Sequence, residues 1–196
     1  MGVSLKKGER VSLSKDVDAG LKSVQFGLGW DERKKGGLMS ALFGGGGGGG
    51  IDLDASAVLF GANGSRIDQV WFRQLRSKDG SIVHSGDNLT GAGDGDDEVI
   101  TVDLSRLPSD VQTIIFVVSS FRGDTFDSID NAYARAVDAK TGREIARYEI
   151  SGGGSHTGLI MASLSRKSGS WEVQAIGEPG RSRVFEDLLP QMQGHL

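Results

Sequence analysis

The chain has no cysteine, three prolines, three histidines and an aromatic content of only 7%. Without cysteine there is no disulfide, no thiolate zinc site and no cysteine nucleophile. No segment approaches the ~20 consecutive apolar residues that span a bilayer. The opening Met1-Gly2-Val3-Ser4-Leu5-Lys6-Lys7-Gly8 lacks the apolar stretch of a secretory signal. Met1-Gly2 looks like the start of a myristoylation signal, but Lys6 stands where Ser or Thr is required. Positive charge is also short: the formal net charge is −4, which argues against broad nucleic-acid binding. The expected compartment is the cytoplasm.

Glycine, by contrast, is abundant, at 31 of 196 residues. The length suits one domain with a substantial core, and 37% hydrophobic with 24% charged residues is an ordinary globular balance. Most segments alternate like strands. They are 3–5, 10–13, 21–30, 51–60, 69–75, 81–84, 98–104, 113–119, 131–138, 143–150, 158–166 and 170–177. The run 113–119 is almost entirely apolar and β-branched, which suits a strand buried on both faces. Asp138-Ala139-Lys140-Thr141-Gly142 and Lys167-Ser168-Gly169 read as hairpin connections. Many short strands with regular turns predict an all-β antiparallel sandwich over 1–180. Segment 105–111, broken by Pro108, predicts only a turn. In 181–196, Val184, Phe185, Leu188 and Leu189 share a helical face, which predicts a short C-terminal helix packed on the sandwich. Residues 36–50, ending in the run Gly44 to Gly50, read as a flexible insertion.

The densest chemistry lies in Gly86-Asp87-Asn88-Leu89-Thr90-Gly91-Ala92-Gly93-Asp94-Gly95-Asp96-Asp97-Glu98. Five carboxylates and an amide are interleaved with four glycines, with no Lys or Arg. Carboxylates so crowded repel one another unless solvent or a cation offsets them. Oxygen-only ligation on a flexible acidic loop is what Ca²⁺ prefers, whereas Mg²⁺ demands tighter octahedral geometry and keeps more water. Upstream, Asp52 and Asp54 flank Leu53 and share one face of a strand. Asp31 ends an earlier strand, so three acidic elements collect at strand ends. Asp87 and Glu98 have the end-to-end spacing of an EF-hand loop, but Leu89, Gly91 and Ala92 fail its interior pattern.

Together, Gly27-Leu28-Gly29-Trp30-Asp31, Asp52-Leu53-Asp54-Ala55-Ser56-Ala57, Gly86-Asp87-Asn88 and Gly93-Asp94-Gly95-Asp96-Asp97-Glu98 resemble the tellurium-resistance TerD family. Ile114-Ile115-Phe116-Val117-Val118, Tyr133-Ala134-Arg135, Glu144-Ile145-Ala146-Arg147-Tyr148 and Gly169-Ser170-Trp171-Glu172-Val173 are similar too, in the same order, over about residues 1–177. The resemblance implies a Ca²⁺-binding β-sandwich in bacterial stress-response proteins, with acidic loops at one end and no known enzymatic activity. Carried onto this sequence, the metal residues it implies are Asp31, Asp52, Asp54, Asp87, Asn88, Asp94, Asp96, Asp97 and Glu98, for one or two Ca²⁺ ions.

The function expected from these readings is a calcium-dependent sensor or scaffold with protein partners in a stress-response complex. Nucleic acid is not expected as a partner, and membrane contact is expected to be indirect if any. The alternatives are a metal-dependent hydrolase on the same carboxylates, with His84 as its base, and a structural subunit of a membrane-associated complex that uses 36–50 or the C-terminal helix as its contact. The tryptophans Trp30, Trp71 and Trp171 read as packing. Arg122, Arg135 and Arg147 read as strand-end charges able to pair with acids that no metal takes.

Overall fold

A computed structural model describes residues 2–13, 15, 20–32, 51–88, 95–150, 154–167 and 169–196. The flexible insertion expected at 36–50, and Asp94, lie outside them. Among the described residues, twelve strands form two six-stranded sheets. The strands are β1 (Val3–Ser4), β2 (Arg10–Ser12), β3 (Ser23–Glu32), β4 (Leu53–Phe60), β5 (Arg66–Val70) and β6 (Ile82–His84). They continue with β7 (Glu98–Asp103), β8 (Thr113–Ser120), β9 (Ile129–Asp138), β10 (Glu144–Glu149), β11 (Gly158–Lys167) and β12 (Ser170–Gly180). One sheet runs β1-β10-β9-β3-β7-β6 and the other β2-β12-β11-β8-β4-β5. The expected antiparallel sandwich is present, with one departure: β1 lies parallel to β10, Val3 opposite Ala146.

The core between the sheets follows the period-2 pattern. Leu53, Ala55, Ala57 and Leu59 of β4 join Ile114, Phe116 and Val118 of β8 in the inner cluster. Across the gap Phe116 stacks on Phe26 of β3, with ring centroids 3.8 Å apart. In β7 the alternation resolves with Glu98, Ile100 and Val102 inward. The alternate residues of β4 and β8, Val58, Phe60, Ile115 and Val117, form a second buried cluster with Ile160 and Ile176. Phe185, Leu188 and Met192 cover it, which is why β8 reads as apolar throughout. Burying one such side chain contributes about 1.5–3 kcal/mol.

The covering segment is less regular than a single helix over 183–191. It is a 3₁₀ turn at Phe185–Leu188, a helix α1 at Leu189–Met192 and a second 3₁₀ turn at Gln193–His195. Pro190 sits in the first turn of α1, where a missing N–H costs nothing but a longer upstream helix is prevented. Its apolar face is already used by the sheet, so only its other face is left for a contact of the kind the structural-subunit reading needs.

The one strand that moved is β5, expected at 69–75 and found at Arg66–Val70. Trp71 and Gln74 close a tight turn by exchanging backbone hydrogen bonds, so the apolar Trp71-Phe72 pair caps the strand instead of extending it. Among the described residues no helix is long and apolar enough to cross a membrane.

Candidate metal centre

Asp52 and Asp54 stand at the start of β4 on the outer face of its sheet, the side opposite Leu53. Trp30 fixes the entry to the strand: its indole N–H donates to the carbonyl of Ile51 at 3.2 Å. Both carboxylates are buried, each only 4% exposed. The exposed Asp87, following β6, brings a third carboxylate, and one oxygen from each of the three lies within 4.8 Å of the others.

Ca²⁺ binds oxygen at ~2.3–2.6 Å, so oxygens with this mutual spacing fit around one ion. The donor chemistry fits as well. Asp52 Oδ1 and Asp54 Oδ2 are buried with no hydrogen-bond partner among the described residues. Such oxygens are costly in a folded chain unless a proton or a cation meets them. The cost is visible in their acidity. Burial pushes the Asp54 carboxyl from 3.8 up to about 7, with the charges of Glu98, Asp52 and Asp87 adding to it. Burial also raises Asp52, helped by Asp87, and Arg122 pulls the other way. Arg122, two residues past β8, places Nε 3.3 Å from Asp52 Oδ2. A protein cation thus covers one oxygen of the cluster. Asp124, in the same turn, adds negative charge near Asp52.

Glu98 opens β7 in the opposite sheet and is fully buried. Strand β5 pairs with β4 only from Ala57 onward, which leaves Ala55 without a ladder partner there. Glu98 Oε2 accepts the Ala55 N–H at 2.6 Å, and His84 Nε2 lies 3.1 Å from the Ala55 carbonyl. The other carboxylate oxygen accepts the Asn88 N–H at 3.1 Å. Glu98 therefore ties the two sheets together and orders the start of the acidic loop. His84 Nδ1 accepts the Gly86 N–H at 3.0 Å. Burial disfavours a charged His84, while the Glu98 hydrogen bond and charge outweigh it and raise its pKa. The Gly86 N–H limits this, because a doubly protonated ring would set two donors against each other.

The remaining sequence-derived residues form a neighbouring group. Asp97 accepts the Trp30 N–H at 2.9 Å and the Asn88 side-chain amide at 3.1 Å. Burial raises its pKa, and Asp31, Asp96 and Glu98 add to that. Asp31 is exposed and accepts from the Asn131 amide at 2.8 Å; Asn131 holds a left-handed backbone, φ 52°. Asp96 is paired instead with protein groups, Arg135 Nε at 2.8 Å and the Tyr133 hydroxyl at 3.1 Å. Two glycines of β3 make room for this. A Cβ on Gly27 would run into the Asp96 carboxylate, and one on Gly29 would lie 2.5 Å from the Tyr133 ring.

Thus Asp52, Asp54 and Asp87 come together, Asn88 and Glu98 brace them, and Asp31, Asp96 and Asp97 lie alongside. Asp94 is outside the described residues. The sequence reading gave no role to Asp124, although it follows Arg122 in one short turn.

The TerD domain model matches residues 1–190. The chain belongs to the TerD family. It is 53% identical over 186 residues to tellurium resistance protein TerZ of Serratia marcescens, covering 95% of this chain and 94% of that one. General stress protein 16U of Bacillus subtilis (strain 168) is 39% identical over 198 residues, covering 95% and 97%. A crystal structure of a homologue of telluride resistance protein TerD from Streptomyces coelicolor superposes with a TM-score of 0.66 at 24% identity, covering 89% of this chain and 98% of that one. At that identity the likeness speaks for the fold. The TerD-family relatives carry tellurium-resistance and stress-response names, so this is a chain of a tellurium-resistance and stress-response family.

Proposed function

We propose that this protein binds Ca²⁺ through Asp52, Asp54 and Asp87 and acts in the bacterial cytoplasm as a metal-dependent sensor or scaffold in a stress-response complex, not as an enzyme. The observation that carries the reading is the pair of buried oxygens, Asp52 Oδ1 and Asp54 Oδ2, that have no hydrogen-bond partner among the described residues. Ca²⁺ bound there offsets like charge that, among the described residues, Arg122 offsets at Asp52 and His84 offsets in part at Asp54. Asn88 and Glu98 hold the loop that delivers Asp87. Asp31 and Asp97, with Asp94, are the oxygens on which a second ion would draw; Asp96 enters only by leaving Arg135. Bound metal stabilises the native state by linkage, by ~2.7 kcal/mol at a hundredfold excess over the dissociation constant.

The hydrolase reading finds less support. His84 is enclosed with both ring nitrogens engaged by the chain, so it does not face the carboxylate cluster as a base. Calorimetric titration of chelator-stripped protein with Ca²⁺, and with Mg²⁺ as the control, tests the proposal. Saturable heat selective for Ca²⁺ and lost in Asp52→Asn/Asp54→Asn is the expected outcome. Absence of heat, or equal heat from the double variant, would refute it.

A further inference from the structure

Beside the acidic cluster, on the same outer sheet face, four aromatic rings run in a chain from the interior to the surface. Phe185 is 5.1 Å from Trp71, Trp71 is 4.9 Å from Phe72, and Phe72 is 5.5 Å from Phe121, centroid to centroid and all edge to face. Phe185 is buried, Trp71 and Phe72 are half-buried, and Phe121 is 41% exposed. Arginines follow the chain. Arg66 lies 5.9 Å over Phe185, and Arg73 lies 5.5 Å over Trp71 and 5.1 Å over Phe72. Arg183 reaches to 3.6 Å from where a Cβ on Gly123 would stand, two residues past Phe121. Arg122 adjoins Phe121 and is engaged with Asp52. Arg66, Arg73 and Arg183 are all exposed, and Asp187 accepts from the backbone N–H groups of Arg183 and Val184.

Aromatic residues and arginine are the residue types enriched in protein interfaces, and the best anchors among them. Here they form one surface on a chain whose net charge is −4. Single-stranded nucleic acid needs open ring faces for stacking, and Arg73 already lies over Trp71 and Phe72. A lipid surface needs apolar side chains that reach ~5–10 Å into it, and here Trp71 and Phe72 are set into the protein surface. We propose that this patch docks an acidic segment of a partner protein, an aromatic or aliphatic side chain of which packs on the exposed Phe121 while its carboxylates meet Arg66, Arg73 and Arg183. The docking residues Phe121, Arg66, Arg73 and Arg183 are not among the proposed metal ligands.

The test is fluorescence anisotropy of the full chain with a labelled peptide alternating glutamate and phenylalanine. Its lysine–phenylalanine counterpart, phosphatidylserine vesicles and oligothymidylate serve as competing probes. Arg73→Glu and Phe121→Ser alter exposed side chains, and circular dichroism melts check that each variant is folded. Saturable binding of the acidic peptide, weakened roughly tenfold or more by either substitution and reduced by salt, supports the proposal. No saturable binding, binding indifferent to both substitutions, or preference for the basic peptide, the vesicles or the oligonucleotide overturns it.

Discussion

Replacing Asp54 by Asn keeps the shape of the side chain and removes the charge that the fold tolerates least. In the folded, metal-free protein the Asp54 carboxyl is displaced from 3.8 to about 7, chiefly by burial. That displacement, at ~1.4 kcal/mol per pH unit, amounts to about 4 kcal/mol. Its sign follows from proton binding. The folded state holds this proton more tightly than the unfolded chain does. The contribution is therefore fully present below 3.8 and is lost as pH rises through about 7. Asp52 is displaced in the same direction, and a comparison of wild type with Asp54→Asn reads Asp54 together with its coupling to Asp52, Asp87 and Glu98. Asp79 and Asp138, whose pKa values are lowered, act at the acid end, outside this interval. Urea unfolding of both proteins in chelator, from about pH 5 to about pH 8, is the assay. The variant should overtake the wild type as pH rises, by up to about 4 kcal/mol at the alkaline end. Saturating Ca²⁺ should reverse the order, because only the wild type keeps the charged Asp54 ligand. A difference between the two proteins that does not change with pH would refute the reasoning, since Asp54 would then not be carrying an uncompensated buried charge.

Arg122→Gln removes the cation 3.3 Å from Asp52 Oδ2. The half-exposed pair should change metal-free stability by under ~1 kcal/mol, while calorimetry should show Ca²⁺ affinity raised roughly fivefold by the loss of a competing charge; an unchanged or weaker affinity counts against that competition. Glu98→Ala strips the partners from the N–H groups of Ala55 and Asn88, and urea unfolding should show a loss of about 3–5 kcal/mol, with a loss below ~1 kcal/mol contradicting its role as a tie between the sheets. Gly27→Ala should push Asp96 off Arg135 and Tyr133 at a cost of about 1–3 kcal/mol. The same substitution should cost much less in an Asp96→Ser background, and equal costs in the two backgrounds would mean that the crowding lies elsewhere.

The strand order of charges and apolar residues made the sandwich legible, because a period of two survives whatever the tertiary context. β4 and β8 illustrate this: their faces divide between the inner cluster and the C-terminal cover as the alternation implies. The end of β5 was not legible, because Trp71-Phe72 continues the apolar run and only the turn closing on Gln74 separates it from the strand. At the candidate centre, Asp52 and Asp54 could be placed on a common face from spacing alone. What spacing could not provide was which acids already have partners. Asp96 looks equivalent to Asp87 in the acidic run, yet Arg135 and Tyr133, almost forty residues later, engage it across β3. Glu98 likewise serves the backbone of a strand in the other sheet, a long-range pairing that local sequence does not encode.

The topology also has a consequence for how the chain is made. β1 and β2 leave the ribosome before the other strands described, but their partners are β10 and β12, with Val3 set against Ala146 and Val11 against Val173. At ~5–20 residues per second, the two N-terminal strands wait on the order of ten seconds for those partners to be synthesised. When β10 and β12 do emerge, the strand that will cover each open edge is already outside and tethered to the same chain. β1 and β2 are only two and three residues long, so neither offers much of a template to another molecule while it waits. The late strands are therefore capped from within the chain almost as soon as they form, which shortens the time in which a nascent copy can pair with its neighbour.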